Sequence, residues 1–214
     1  MKMKQISGKP FIIPITKANT DKKSVNGYFY GSGDIAIIFS NMDTNDQKEW
    51  NPIINDLISD KYLGLTYTYT EQMDDQSGTL EEVISFACDM GAKKIVLIGA
   101  SRGGVASIKV AARHVNNDSI VGVVAISAPI EYEGTVFYSN DELNRIKIPK
   151  LLINTERDDG ADDNRKMIEI LREPKELLLY PGDAHGTELF DKEREPIIKK
   201  LGSFIKCVTT KSRI

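Results

Sequence analysis

One stretch limits the architecture of this chain more than any other: "KKIVLIGASRGGVASIKVAARH", Lys93 to His114. The apolar run Ile95–Ile98 ends in Gly99-Ala100-Ser101-Arg102-Gly103-Gly104, and helix-compatible sequence follows at once. A strand that is apolar on every residue is buried on both faces, as in a parallel sheet covered by helices. The stretch therefore predicts a strand, a very tight turn, and a helix from about Arg102 to His114 that packs back onto the sheet.

The same alternation runs along the chain. "FIIPITKA" and "GYFYGSG" read as an N-terminal hairpin or its strands, and "DIAIIFS" as a short buried strand. "QKEWNPIINDLISDK" places Trp50, Ile53, Ile54 and Leu57 on one helical face, and "YLGLTYTYT" has strand composition. In "TLEEVISFACDMG", Thr79 is the expected N-cap and Gly91 the stop. "IVGVVAIS", "PKLLINT" and "KELLLYPG" are further strands. "DNRKMIEILRE", opened by Asp162 and Asp163, and "DKEREPIIKKLGSFIKC", interrupted or restarted near Pro196, are the later helices. The expected fold is α/β: one domain, residues 1–214, with a mostly parallel twisted sheet and helices on both faces. Right-handed crossovers put the functional loops of such a sheet at the carboxyl ends of its strands.

The first such loop carries Ser101. A strand that reverses directly into a helix needs small residues two positions either side of the apex, and Gly99 and Gly103 supply them. The serine hydroxyl then stands over the sheet edge at the positive end of a helix. A dinucleotide-binding loop would need G-x-G-x-x-G and a Walker loop Gly-Lys-Ser/Thr. Neither occurs here.

A serine needs a base, and the base an orienting acid. The chain has two histidines. His114 lies 13 residues beyond Ser101, roughly 20 Å along the helix that Ser101 begins, and is out of reach. His185, in "YPGDAHG" after the last strand, is the expected base. The acid is expected after "KLLIN", where Asp158 is the first choice and Asp159 the second. Glu156 has a lining role open to it, and Asp162 and Asp163 read more simply as helix N-terminal residues. The oxyanion donors are expected to be the backbone N–H groups of Arg102 and Met42, with Asn41 as the alternative to Met42. Two roles are open for the Arg102 side chain: meeting an acidic substrate group, or a structural salt bridge. Tyr67, Tyr69, Met73, Tyr132, Phe137 and Tyr138 are open to lining the site or to packing.

With these residues in place the chain resembles the α/β-hydrolase superfamily over nearly its whole length. The resemblance rests on Gly99-Ala100-Ser101-Arg102-Gly103-Gly104, "LLINTERDD" and "YPGDAHG", in the order serine, acid, histidine. It looks like the small, lidless, dienelactone-hydrolase-like esterases, because residues 130–148 are too few for a large cap domain. The resemblance implies hydrolysis of a small or medium carboxylic ester or thioester through an acyl-enzyme, with no cofactor and no metal. Many members carry His-Gly where this chain has Ser40-Asn41, and dienelactone hydrolases proper use cysteine where this chain has Ser101. Their substrate is therefore not carried over.

Composition narrows the rest. A net charge of −3 argues against a generally basic nucleic-acid surface. No apolar run approaches the roughly 20 residues a membrane span needs, and the start of the chain lacks a signal-peptide core. Cys88 and Cys207 have no metal-ligand spacing and are expected as buried or half-buried thiols in a cytoplasmic protein. A homodimer stays open. The competing functional class is a non-catalytic binding protein on the same fold.

Overall fold

Helices tile both faces of a single eight-stranded sheet, and the sequence pattern explains which residue faces which layer. The coordinates are a computed structural model and describe residues 7–16, 24–42, 46–69 and 76–210. The strands are β1 (Lys9–Pro14), β2 (Ser24–Gly31), β3 (Ile35–Ser40), β4 (Tyr62–Tyr67), β5 (Lys94–Ala100), β6 (Ile120–Ile126), β7 (Glu131–Tyr132), β8 (Thr135–Val136), β9 (Lys150–Thr155) and β10 (Lys175–Tyr180). The helices are α1 (Asn51–Leu57), α2 (Ser77–Asp89), α3 (Arg102–Arg113), α4 (Asn140–Arg145), α5 (Ala161–Ile170), α6 (Leu189–Lys192) and α7 (Arg194–Thr210).

The main sheet has the order β1-β2-β4-β3-β5-β6-β9-β10. From β4 to β10 all neighbours are parallel, while β2 runs antiparallel to both β1 and β4. In β5, Ile95 and Leu97 enter one core, with Leu80 and Val83 of α2, Val105 and Ile108 of α3, and Met167 of α5. Val96 and Ile98 enter the other, with Ile53 and Ile54 of α1 and Ile197 and Leu201 of α7. This period-two partition is why a parallel strand reads as one continuous apolar run. The order also places β5 between β3 and β6, so the turn after β5 opens between the two flanking strand ends.

Several expectations change in detail. Helix α2 starts at Ser77 with Gln76 as N-cap, so Thr79 lies inside it, buried. The closing helix is interrupted near Pro196 as expected, α6 ending at Lys192 and α7 starting at Arg194, and Pro196 itself falls in the first turn of α7, where a missing N–H is harmless. Cys88 and Cys207 are exposed rather than buried, on the outer sides of α2 and α7, and no disulfide joins them. Strands β7 and β8 form a small unforeseen hairpin through Glu133 (φ 49°) and Gly134 (φ 83°). No helix among the described residues is long and apolar enough to cross a membrane.

Candidate active site

The turn after β5 is as tight as its sequence implies. Ser101 sits at φ 48°, ψ −117°, a conformation that costs a non-glycine residue energy and persists only where its surroundings enforce it. Its N–H donates to the Ile126 carbonyl of β6 (2.7 Å), and its carbonyl accepts from Val105 N–H in α3 (2.9 Å). A Cβ on Gly99 would strike the Gly103 carbonyl, and one on Gly103 would strike the Ser40 carbonyl of β3. The glycines therefore let strand β5, helix α3 and the end of β3 meet in one place.

Ser101 and His185 line a single cleft of about 960 Å³, together with Asp158, Arg102, Met42 and Ser127. His185 Nδ1 and Asp158 Oδ2 are 2.5 Å apart, with the Asp158 side chain 2% exposed. Burial works to raise the Asp158 carboxyl pKa. Hydrogen bonds from His185, the Gly160 N–H (2.7 Å) and Asn154 Nδ2 (3.3 Å) outweigh it and hold the group below its ordinary value. Asp158 is therefore a carboxylate positioned to accept from Nδ1 of His185. Asp159 also lines the cleft and is exposed, but the hydrogen bond to His185 belongs to Asp158.

Behind this pair lies a buried polar network that sequence reasoning missed. Asn154, fully buried in β9, accepts from Ser127 Oγ (2.7 Å) and Thr155 N–H (2.8 Å) through Oδ1. Through Nδ2 it donates to Asp158 and to Asn164 Oδ1 (2.9 Å). Asn164 Nδ2 in turn donates to the Ala128 carbonyl (2.6 Å). Ser127, at φ 50° just after β6, accepts from Gly186 N–H (3.0 Å), and Thr155 Oγ1 donates to the Ala184 carbonyl (3.0 Å). Both residues flanking His185 are thus tied to strand ends. The one available signal was an asparagine inside the otherwise apolar run "LLIN", since a buried amide must find partners.

The remaining expected residues divide. Arg102 opens α3, with its backbone at the helix N-terminus and its side chain on the cleft. Met42 lines the cleft and rests against Thr187 of the histidine loop. Its N–H, however, donates to Glu49 Oε1 at 2.7 Å. Asn41 is buried, and its carbonyl accepts from Tyr69 Oη (2.7 Å). His114 caps the far end of α3 beside Glu81. Tyr132 and Phe137 line the cleft, whereas Tyr67, Tyr69 and Tyr138 are buried and do not. Met73 lies outside the described residues. Among the described residues no group of three or more His, Cys, Asp or Glu is arranged to hold a metal ion.

The sheet order, the serine turn after β5, and the acid and histidine loops after β9 and β10 define the α/β-hydrolase fold, without a large cap. Solved structures share it. An esterase from Pyrococcus furiosus superimposes with a TM-score of 0.76 at 19% identity, over 95% of this chain and 93% of that one. The esterase domain of a Rhodothermus marinus protein gives 0.75 at 15%, over 94% and 98%. A dienelactone hydrolase from Anabaena variabilis gives 0.70 at 16%, over 94% and 98%. No protein-family model matches the sequence, and no curated protein matches it in sequence.

Proposed function

We propose that this chain is a serine hydrolase that cleaves a carboxylic ester or thioester of a small or medium acyl substrate through an acyl-enzyme. The observation that carries the reading is one cleft holding a serine at a strained strand-to-helix apex and a histidine hydrogen-bonded to a buried carboxylate. The esterases and the dienelactone hydrolase that share the fold support it. In this reading His185, its Nδ1–H held by Asp158, takes the Ser101 proton as Oγ attacks the carbonyl carbon. The tetrahedral oxyanion is received by the Arg102 and Met42 N–H groups. His185 then returns the proton to the leaving alcohol or thiol, and water repeats the sequence on the acyl-enzyme.

The cleft supports a substrate without negative charge. Besides Asp158 its lining carries Glu131, Glu133, Asp159, Asp163 and Asp183, against the guanidinium groups of Arg102 and Arg157. The excess of carboxylates supports a local charge partner as the role of the Arg102 side chain. A cytoplasmic location belongs to the same proposal, since two exposed thiols, Cys88 and Cys207, suit a reducing compartment.

The test is a panel of neutral and carboxylate-bearing p-nitrophenyl esters and thioesters of graded chain length, with fluorophosphonate labelling alongside. Labelling and turnover are expected in the wild type, lost in Ser101→Ala and strongly reduced in His185→Ala, with neutral esters preferred. A folded wild type that neither labels nor turns over any ester would reject the hydrolase in favour of a binding protein.

A further inference from the structure

The peptide unit joining Asn41 to Met42 is held at both ends. Its carbonyl accepts from Tyr69 Oη at 2.7 Å, and its N–H donates to Glu49 Oε1 at 2.7 Å. The two ends of a trans peptide point in opposite directions, so these bonds fix its orientation. The carbonyl end is the one turned to the serine turn, since a Cβ on Gly103 would crowd the Asn41 oxygen. The N–H end is turned to Glu49, which is not part of the cleft lining. Tyr69 is itself fixed, fully buried and edge-on to Tyr67 at 5.3 Å, and Tyr67 Oη shares a 2.7 Å hydrogen bond with Ser40 Oγ.

An oxyanion on a substrate at Ser101 and the Glu49 carboxylate therefore compete for one donor. A hydrogen bond to a carboxylate is roughly twice as strong as one between neutral groups, so this competition is not minor. The neighbouring Asn41 side chain is buried with neither polar atom hydrogen-bonded among the described residues. The segment thus leaves hydrogen-bonding capacity unused in the state seen, which favours a second arrangement.

Resting on the hydrolase reading, we infer that Glu49 is a positioning residue that holds the Asn41–Met42 peptide in a resting orientation, and that acylation requires Met42 N–H to leave Glu49. Substrate turnover then includes a peptide reorientation at the end of β3, and Glu49 sets its difficulty. Glu49→Gln keeps the shape and an acceptor oxygen but removes the charge. It is expected to raise kcat on a neutral p-nitrophenyl ester about fivefold, the difference between a charged and a neutral hydrogen bond, with KM unchanged. Phosphonylation of Ser101 by an alkyl fluorophosphonate is expected to accelerate equally. A structural role alone would lower kcat or leave it unchanged.

A second measurement uses the wild type. In protein labelled with 15N-methionine, with Met42 assigned through Met42→Leu, the Met42 amide resonance is expected to move on phosphonylation as its N–H changes acceptor. An unmoved Met42 amide in the phosphonylated enzyme, or a Glu49→Gln rate at or below that of the wild type, overturns the inference alone. A wild type that is not phosphonylated at Ser101 overturns the hydrolase reading, and the inference with it.

Discussion

Asn154 offers the sharpest test of how the candidate site is built, because it does not itself line the cleft but bonds two residues that do. Its amide makes four hydrogen bonds, to Ser127, Thr155, Asp158 and Asn164, in a side chain with no exposure. A buried neutral hydrogen bond contributes about 1 kcal/mol net, so Asn154→Ala removes about 3–4 kcal/mol once the long contact to Asp158 is discounted. The buried Thr155 N–H is left without its acceptor, which keeps the figure from being smaller. In urea unfolding followed by circular dichroism, an m-value of about 2 kcal/mol/M converts this to a midpoint lower by roughly 1.5–2 M. Activity falls too, because Asp158 loses a donor and Ser127 loses the acceptor that orients it toward Gly186 beside His185. The expected loss in kcat is about tenfold, with KM little changed, equivalent to about 1.4 kcal/mol of misorientation. Asn154→Asp separates the network from mere packing. It fills the same space, but it turns two donors into acceptors and sets a second carboxylate against Asp158. Its activity should fall below that of Asn154→Ala. A loss of stability under about 1 kcal/mol in Asn154→Ala, with unchanged kcat, would refute the claim that this network positions the acid and the histidine loop.

The Asp158 carboxyl and two glycines carry further expectations. Asp158→Asn should lower kcat by about 10³- to 10⁴-fold, since the amide no longer holds His185 in the required tautomer. Because the folded Asp158 carboxyl lies below its unfolded value of about 3.9, its contribution to stability is complete above that pH and is lost as pH falls through the folded value. The wild-type melting temperature should therefore drop more steeply below about pH 4 than that of Asp158→Asn, and parallel curves would contradict this. Gly103→Ala drives a methyl group into the Ser40 and Asn41 carbonyls and should destabilise the fold by about 3 kcal/mol or more. Gly202→Ala, in open space inside α7, should stabilise it by about 0.5–1 kcal/mol, and thermal melts of the pair test both signs.

What the sequence disclosed about this molecule depended on how local each determinant is. The parallel sheet was legible because burial on both faces writes itself as continuous apolar runs such as Ile95–Ile98. The turn at Ser101 was legible because its steric crowding admits only small residues at Gly99 and Gly103. His185 and Asp158 followed from position, each a few residues past a strand end. Asn154 and Ser127 were not found, since the bond joining them spans 27 residues and Gly186 lies 59 from Ser127, while Asp158 and Asn164, 4 and 10 residues from Asn154, reach it only once the turn after β9 and helix α5 have folded. The hairpin β7–β8 was missed because Glu133-Gly134 is not one of the dipeptides that favour a two-residue turn with positive φ at both positions.

Met42 shows the limit most clearly. Its position after β3 is written in the sequence, but the direction of one N–H is not. In the structure that N–H points to Glu49, and in the proposed mechanism a developing oxyanion competes for the same hydrogen bond. On the proposed mechanism the fold fixes the residues of the site, while its readiness depends on a peptide orientation that a few kcal/mol would reverse. In this molecule the balance is held by Glu49 from one end of that peptide and by Tyr69 from the other. On the same proposal, a chain with the same serine, histidine and acid but another residue in place of Glu49 would share the fold and the cleft and would differ in the barrier to acylation.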